Sequence, residues 1–241
     1  VVWAEENSRD AIFEGMRRKE TYATSGTRPL VRFFAGALDE DLCGAPDAIE
    51  RAYLQGVPMG GRLEGGGPPR FLVSALKDPG IEGHPGTDLQ RAQIVKGWVD
   101  EQGETHERVF DVAGDAGNGA SVDPATCRPT GRGAADLCTV WSDPEFDPAQ
   151  PAFYYVRVLE NPSCRWSTLQ CQAAGVNPFA DDCSAQAAEA TALAQERGAE
   201  GDVYGKCCID AAQEPFYTPT IQERAWTSPI WYAPAAAVAV R

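Results

Sequence analysis

The sequence predicts a mainly β protein, an antiparallel β-sandwich with an N-terminal helix and a disulfide-pinned helical insertion. Strand-like runs follow one another through the middle of the chain with no helix between them, which favours antiparallel sheets over a parallel α/β fold. Turn residues such as Asp78-Pro79-Gly80 separate these runs at short intervals. Residues 164–206, which include a stretch rich in Ala, Glu and Gln over 184–197, break the β pattern, and five of the eight cysteines lie in or beside this segment.

The elements follow from local patterning. The first is a helix that Asn7 or Ser8 can cap, with Ile12, Phe13 and Met16 on one apolar stripe. A short strand and a turn are expected over residues 21–28, and further helices at residues 46–55, 166–174 and 184–197. The other strands are predicted at residues 29–34, 70–77, 89–99, 106–112, 137–141, 152–159, 221–226 and 229–232.

Composition excludes several classes of protein. Of the 241 residues, 35 are Asp or Glu and 21 are Lys or Arg, and the formal net charge of −14 argues against nucleic-acid binding because it repels phosphate backbones. No stretch reaches the roughly 18–20 uninterrupted apolar residues of a membrane span, so we expect no membrane span. Six Trp, seven Tyr and nine Phe argue against disorder.

The cysteines predict disulfides, which form in an oxidising compartment. They show neither CxxC pairs nor a nearby His, which argues against a metal centre, and free structural thiols remain the alternative. The vicinal pair at 207 and 208 predicts two separate bridges rather than redox chemistry, and Cys127–Cys138 is the one local pairing we expect. The eight disulfide candidates are Cys43, Cys127, Cys138, Cys164, Cys171, Cys183, Cys207 and Cys208.

No catalytic residue is predicted in this chain. His84 lies in a Gly- and Pro-rich loop, His106 lies on a polar strand, and no Gly-x-Ser-x-Gly elbow supplies a nucleophile. The weak candidate for a calcium site is a Gly-rich loop with several oxygen ligands, which departs from EF-hand spacing, and a solvated loop is the alternative. Its residues are Asp111, Asp115, Asn118 and Asp123.

The segment over residues 24–28 is the candidate substrate-facing loop. Gly26 permits close backbone approach, and Thr24 and Ser25 offer hydroxyls. Arg28 offers a planar guanidinium to an oxyanion. A tight turn in which Arg28 pairs with an acidic residue is the alternative.

Several long motifs resemble the C-terminal part of bacterial proteins of the DUF3604 family. The resemblance spans almost the whole chain and diverges over residues 177–212, where this sequence carries a longer insertion. The motifs are WAEENSRDAIF at 3–13, RKETYATSGTR at 18–28, GVPMGG at 56–61, QIVKGW at 93–98, VWSDP at 140–144, ENPSCRWST at 160–168 and QERAWTSPIWY at 222–232.

The resemblance implies a domain organisation and a function. Whole proteins of this family are longer, are exported and carry an upstream domain similar to PHP-type metallohydrolases, and a similar C-terminal ending occurs in carbaryl-hydrolase-like relatives. Because the chain opens at Val1 without Met, we expect a processed form or a fragment. Residues 1–27 would then be the end of the upstream domain, and residues 28–241 a β-sandwich with a helical insertion at about 164–206.

The implied activity is a metal-dependent hydrolysis of an ester, phosphoester or carbamate. The His and Asp metal ligands of the relatives have no match here, so no catalytic or metal residue is carried over. We expect no cofactor in this chain, a divalent metal in the upstream domain, that domain and a small-molecule substrate as partners, and a periplasmic or secreted location. The alternative functions are a non-catalytic binding module, for example for a carbohydrate on an aromatic face, and a purely structural domain.

Overall fold

A computed structural model describes residues 1–208 and 216–235 of the chain. Two compact units are present. The sandwich unit comprises residues 1–118, 133–160 and 223–241, of which 236–241 lie outside the described residues. The insertion unit comprises residues 119–132 and 161–222, of which 209–215 are not described.

Seventeen strands and four α-helices are assigned within the described residues, and β-structure predominates as predicted. The helices are α1 (Arg9–Arg17), α2 (Ala48–Gln55), α3 (Trp166–Ala173) and α4 (Cys183–Glu196), with 3₁₀ turns at Leu42–Gly44 and Gly205–Cys207. The strands are β1 (Tyr22–Thr24), β2 (Leu30–Gly36), β3 (Gly56–Pro58), β4 (Arg62–Glu64), β5 (Arg70–Leu76), β6 (Gly80–Ile81), β7 (His84–Pro85), β8 (Leu89–Val99), β9 (Thr105–Gly114), β10 (Ser121–Val122), β11 (Pro129–Thr130), β12 (Asp136–Ser142), β13 (Ala152–Glu160), β14 (Ser163–Cys164), β15 (Thr220–Ile221), β16 (Arg224–Thr227) and β17 (Ile230–Ala233).

Strand β13 is the centre of a seven-stranded sheet in the sandwich unit. One edge of β13 pairs with β8, and β9 pairs with the far edge of β8. The other edge of β13 pairs with β17 over residues 152–154 and with β16 over residues 157–159. Strand β1 extends β16, and β4 runs parallel to β17. Strand β1 lies before residue 28, where the β-sandwich was expected to begin, and it is nevertheless part of this sheet.

A four-stranded antiparallel sheet, in the order β12-β5-β2-β3, completes the sandwich. Alternate residues of β13 are buried, and Tyr154 packs against Phe71 of β5 with ring centroids 4.5 Å apart. The shared core also contains Phe33 and Ile94, one from each sheet. The observed architecture is therefore the predicted antiparallel sandwich, with β4–β17 as the one parallel pairing among the named strands.

Strand β2 is buried on both faces because helix α2 covers the outer side of its sheet. Phe33 points into the shared core, whereas Phe34 joins a second cluster with Leu38, Leu42 and Ala52. This double burial accounts for the continuous apolar run in the sequence of β2.

All eight cysteines form disulfides, and the predicted pairing Cys127–Cys138 is wrong. Cys138 lies on β12, which pairs along its length with β5, and its sulfur is bonded to Cys43 of the first 3₁₀ turn. Cys127 lies in the β10–β11 loop and is bonded to Cys164 of β14. The two residues belong to different compact units, so nearness in sequence did not bring them together.

The insertion unit is pinned by disulfides, as predicted, but it is larger than residues 164–206. Its bonds link Cys171 to Cys207 and Cys183 to Cys208, so the vicinal cysteines do make two separate bridges. These four sulfurs join Val176 and alanines of α4 in a small core of their own. Residues 119–132 belong to this unit as well, through the β10–β11 hairpin and the Cys127–Cys164 bond.

Candidate functional site

The loop over residues 24–28 faces three carboxylates of the sandwich unit. The hydroxyl of Ser25 donates a hydrogen bond to the Glu223 carboxylate. Thr27 Oγ1 donates to Glu160 Oε1 at 2.5 Å. The backbone N–H of Arg28 donates to Asp78 Oδ2 at 2.8 Å. Three donors of the predicted loop are thus paired with acidic side chains that lie far away in sequence.

One of these carboxylates lies close to Gly26. A Cβ at this position would lie 3.1 Å from Glu223 Cδ, which is tighter than ordinary contact. The predicted close approach at Gly26 is therefore made by the chain's own Glu223. A substrate-facing role for Thr24, Ser25, Gly26 and Arg28 stays a prediction.

Glu160 is the buried member of this acidic group. Burial is the main cause that raises its pKa to about 7 from the usual 4.5, and the charges of Glu223 and Asp78 raise it further, while the hydrogen bond from Thr27 opposes the shift. Its side chain is fully buried, so its charge state near neutral pH affects the energy of the folded state.

A cavity of about 570 Å³ lies beside α1 in the sandwich unit. A hydrogen bond from Trp3 N to Glu20 O, 2.9 Å long, holds the chain before α1 next to the chain after it. Strand β2 contributes Arg32 and helix α2 contributes Tyr53. The lining residues are Trp3, Ala4, Glu5, Arg18, Glu20, Arg32, Tyr53 and Pro58.

The buried carboxylate of Glu20 organises this cavity. The Tyr53 hydroxyl donates a hydrogen bond to it, and the guanidinium groups of Arg18 and Arg32 lie 3.6 and 3.7 Å away. Arg32 also donates to the Tyr53 hydroxyl at 3.1 Å and lies 3.4 Å above the centroid of the Trp3 ring. The cavity therefore presents two cationic groups and a phenol around one buried anion.

The pKa of Tyr53 is raised to about 12, first by burial and then by the hydrogen bond to Glu20 and the Glu20 charge. Tyr53 therefore keeps its proton at physiological pH and donates it to Glu20. The sequence did not indicate this group, because its members come from strand β2, from helix α2 and from the segments on either side of α1. The available signal was an arginine at position 32 inside an apolar strand.

The calcium candidates accept hydrogen bonds from neighbouring groups. Asp111 accepts from Gln93 Nε2 at 2.6 Å and lies 3.2 Å from Arg91 Nε. Asp115 accepts from the backbone N–H of Gly117 at 2.7 Å. The side-chain oxygen of Asn118 accepts from Gln90 Nε2 at 3.5 Å. The carboxylate of Asp123 accepts from Ala125 N and Thr126 Oγ1.

Residues 1–208 and 216–235 contain no group of three or more His, Cys, Asp or Glu side chains arranged to hold a metal ion. His106 Nε2 is hydrogen-bonded to Asp100 Oδ2 at 2.7 Å, and His84 lies exposed in the β6–β7 hairpin. We therefore assign no metal-dependent step to the described residues.

Among the described residues, none of the helices combines the length and the apolar character needed to cross a membrane. Comparison with curated proteins and with solved structures found no match. A family model described as "Protein of unknown function (DUF3604)" matches residues 1–198, which is more than three quarters of the chain. The chain therefore belongs to the DUF3604 family.

Proposed function

We propose that this chain is the C-terminal accessory part of an exported, metal-dependent hydrolase of the DUF3604 family, whose metal centre lies in an upstream domain. The observation that carries the proposal is the pairing of an incompletely buried amphipathic helix, α1, with the polar cavity beside it. The helix supplies a surface for the upstream domain, and the cavity supplies groups that orient a substrate. The four disulfides support an oxidising, periplasmic or extracellular location.

Helix α1 carries apolar side chains that the sandwich does not cover. Phe13 and Met16 lie three residues apart on the helix and are each about half exposed. Burying such side chains against a second domain stabilises the contact by roughly 25 cal/mol per Å² of apolar surface removed from water. The occupant we propose is the upstream domain of the same protein.

The cavity supplies hydrogen-bond donors suited to an ester, phosphoester or carbamate. The guanidinium of Arg18, which is half exposed, can donate to an oxygen of the substrate. The guanidinium of Arg32 lines the same cavity and adds a second group of donors, and the Tyr53 hydroxyl holds this guanidinium in place by accepting from it. In this proposal these groups orient the substrate, and the loop over residues 24–28 adds a wall of the site.

The first test compares the full gene product with this chain for bound divalent metal and for hydrolysis of a panel of phosphoesters, carboxyl esters and carbamates. We expect metal and turnover in the full product and neither in this chain. The proposal is overturned when the full product is inert on the whole panel, or when this chain alone binds stoichiometric metal or hydrolyses a substrate.

Two variants of the full product test the roles of the helix and the cavity. Phe13→Glu/Met16→Glu should lower activity at least tenfold by weakening the domain contact, whereas Leu54→Glu, a change of an exposed apolar residue on α2, should leave activity unchanged. Arg18→Met should raise KM several-fold, and the control Arg62→Met, at an exposed residue paired with Glu64, should not. Equal effects of test and control variants would contradict the assigned roles.

A further inference from the structure

A second cavity, of about 520 Å³, lies on the seven-stranded sheet and takes no part in the proposed hydrolase function. Residues of strands β8, β9, β13 and β17 line it, and Phe153 and Trp231 are the aromatic side chains on its face of the sheet. The residues that concern its chemistry are Trp98, Thr105, His106, Glu107, Phe153 and Trp231.

One pair of rings is held in place by a glycine. Gly97, Phe153 and Trp231 are register partners across β8, β13 and β17. The Phe153 ring lies directly over Gly97, and a Cβ at residue 97 would overlap it. Phe153 in turn contacts Trp231, with ring centroids 5.3 Å apart and planes inclined at 50°. The Phe153 ring is thus fixed against the sheet before any ligand arrives.

A second pair of rings, Trp98 and His106, lies on the opposite face of the sheet, because Trp98 follows Gly97 on β8 and shares its face with Lys96 and Tyr154. Trp98 and His106 are register partners on β8 and β9, and their rings stack with centroids 5.2 Å apart and planes 18° from parallel. His106 is oriented by its 2.7 Å hydrogen bond to Asp100. That bond is also the main cause that lowers the pKa of Asp100, which keeps the carboxylate ionised. On the Trp98 ring, the Lys96 ammonium lies 5.3 Å from the centroid.

These features specify the chemistry of the ligand. Trp231 is 48% exposed, so it offers an apolar face to an incoming molecule. Thr105 and Glu107 line the same cavity and supply a hydroxyl and a carboxylate that accept hydrogen bonds. Anionic ligands are disfavoured by the net charge of −14.

We propose that this cavity binds a neutral oligosaccharide. A pyranose ring presents an apolar C–H face, which packs on the exposed face of Trp231, and a rim of hydroxyls, which donate to Glu107 and exchange hydrogen bonds with Thr105. The Phe153 ring, fixed over Gly97, completes the apolar floor. The site is complete within the sandwich unit and needs no upstream domain, so its test is separate from that of the hydrolase.

The test titrates this chain with cellohexaose, xylohexaose, chitohexaose and maltohexaose, followed by tryptophan fluorescence and by calorimetry. We expect one or more of these sugars to bind, and Trp231→Ala to weaken the binding about tenfold. Glu107→Gln should weaken it several-fold without affecting folding, because this side chain is exposed. The control, Trp166→Ala, changes a tryptophan that is 69% exposed in the insertion unit and should leave binding unchanged.

Tetramethylammonium, titrated in parallel, separates a saccharide site from a cation site. The proposal is overturned when none of the four sugars binds, when tetramethylammonium binds and the sugars do not, or when Trp231→Ala and Trp166→Ala weaken sugar binding equally. Circular dichroism of each variant establishes that it is folded before its affinity is compared.

Discussion

Lys96 and Asp143 form an ion pair inside the sandwich, with Nζ and Oδ2 2.7 Å apart and side-chain exposures of 3% and 0%. The Tyr154 hydroxyl donates to the same Oδ2 at 2.8 Å, and the backbone N–H of Glu145 donates to Oδ1 at 2.8 Å. The Lys96 ammonium also donates to the backbone carbonyl of Glu145 at 2.7 Å. Both charges are thus hydrogen-bonded on more than one side, which is the condition under which a buried pair is tolerated.

Removing one partner of this pair should destabilise the protein strongly. Lys96→Met leaves the Asp143 carboxylate buried without its counter-ion, and we expect the free energy of unfolding to fall by about 3–5 kcal/mol. Lys77→Met, which breaks a partly exposed pair with Asp88 at 2.6 Å, should cost less than about 1 kcal/mol. Urea denaturation measures both.

The double variant Lys96→Met/Asp143→Asn completes the comparison. Because it removes both charges, we expect it to lower the free energy of unfolding by less than the sum of the losses in Lys96→Met and in Asp143→Asn. The role of burial would be contradicted if the loss in the double variant equalled the sum of the two single losses. It would also be contradicted if Lys96→Met and Lys77→Met lowered the free energy of unfolding equally.

The buried carboxylate of Glu160 should make stability depend on pH. Its pKa is raised from 4.5 to about 7, so the folded state binds more protons than the unfolded state between these values. Stability is therefore expected to fall as pH rises from about 4.5 through 7. Glu160→Gln removes this loss and should be more stable than the wild type at pH 8, by at most about 3 kcal/mol, with little difference at pH 4.5.

The matched control for this prediction is Glu64→Gln, which changes an exposed glutamate. Thermal unfolding of the three proteins across pH 4–9 is the measurement. A Glu160→Gln variant with the same pH profile as the wild type would show that the Glu160 carboxylate is not the group responsible.

The disulfide that closes the longest segment should contribute most to stability. Cys43 and Cys138 are 95 residues apart, whereas Cys183 and Cys208 are 25 apart. In the chain-entropy model the corresponding losses on replacement by alanine pairs are about 5 and about 3 kcal/mol. Chemical denaturation of the two double variants should therefore rank Cys43→Ala/Cys138→Ala as the less stable. The reverse ranking would show that chain entropy does not dominate.

A methyl group at Gly97 should displace the Phe153 ring. Because a Cβ there would overlap the ring, we expect Gly97→Ala to cost about 1–3 kcal/mol of stability. Gly67→Ala is the control, since a Cβ there meets no atom within 4 Å. Combining Gly97→Ala with Phe153→Leu should recover part of the loss, and urea denaturation measures all three. Equal stability of the two alanine variants would contradict the packing argument.

The strands of the sandwich were predictable because their patterning is local. Strand β8 has the bounds expected from its apolar and β-branched residues, and the alternating burial of β13 matches its sequence. The helices α1, α3 and α4 also lie close to their predicted positions, because their signals are local: Ser8 caps α1, and α4 is rich in Ala, Glu and Gln, which favour a helix. The extra residues 119–132 of the insertion unit could not be assigned from patterning, since a disulfide and a hairpin place them there.

The candidate sites were less predictable. The turn at Ser25 and Gly26 was recognised, yet the carboxylates that it faces come from positions 78, 160 and 223. The stacking of His106 on Trp98 depends on the register of β8 and β9, and the position of Phe153 over Gly97 depends on the register of β8 and β13. A one-residue change of register would send each side chain to the opposite face.

By itself, the sequence determined the β-rich class, the insertion, the oxidised state of the cysteines and the family. These properties depend on composition, local period and contiguous motifs. Tertiary structure alone decided which cysteines bond, that Glu20 lies buried between two arginines, and that Phe153 and Trp231 lie side by side in one cavity. The reason is physical: these contacts join residues tens to hundreds of positions apart, and strand register and core packing determine such contacts together.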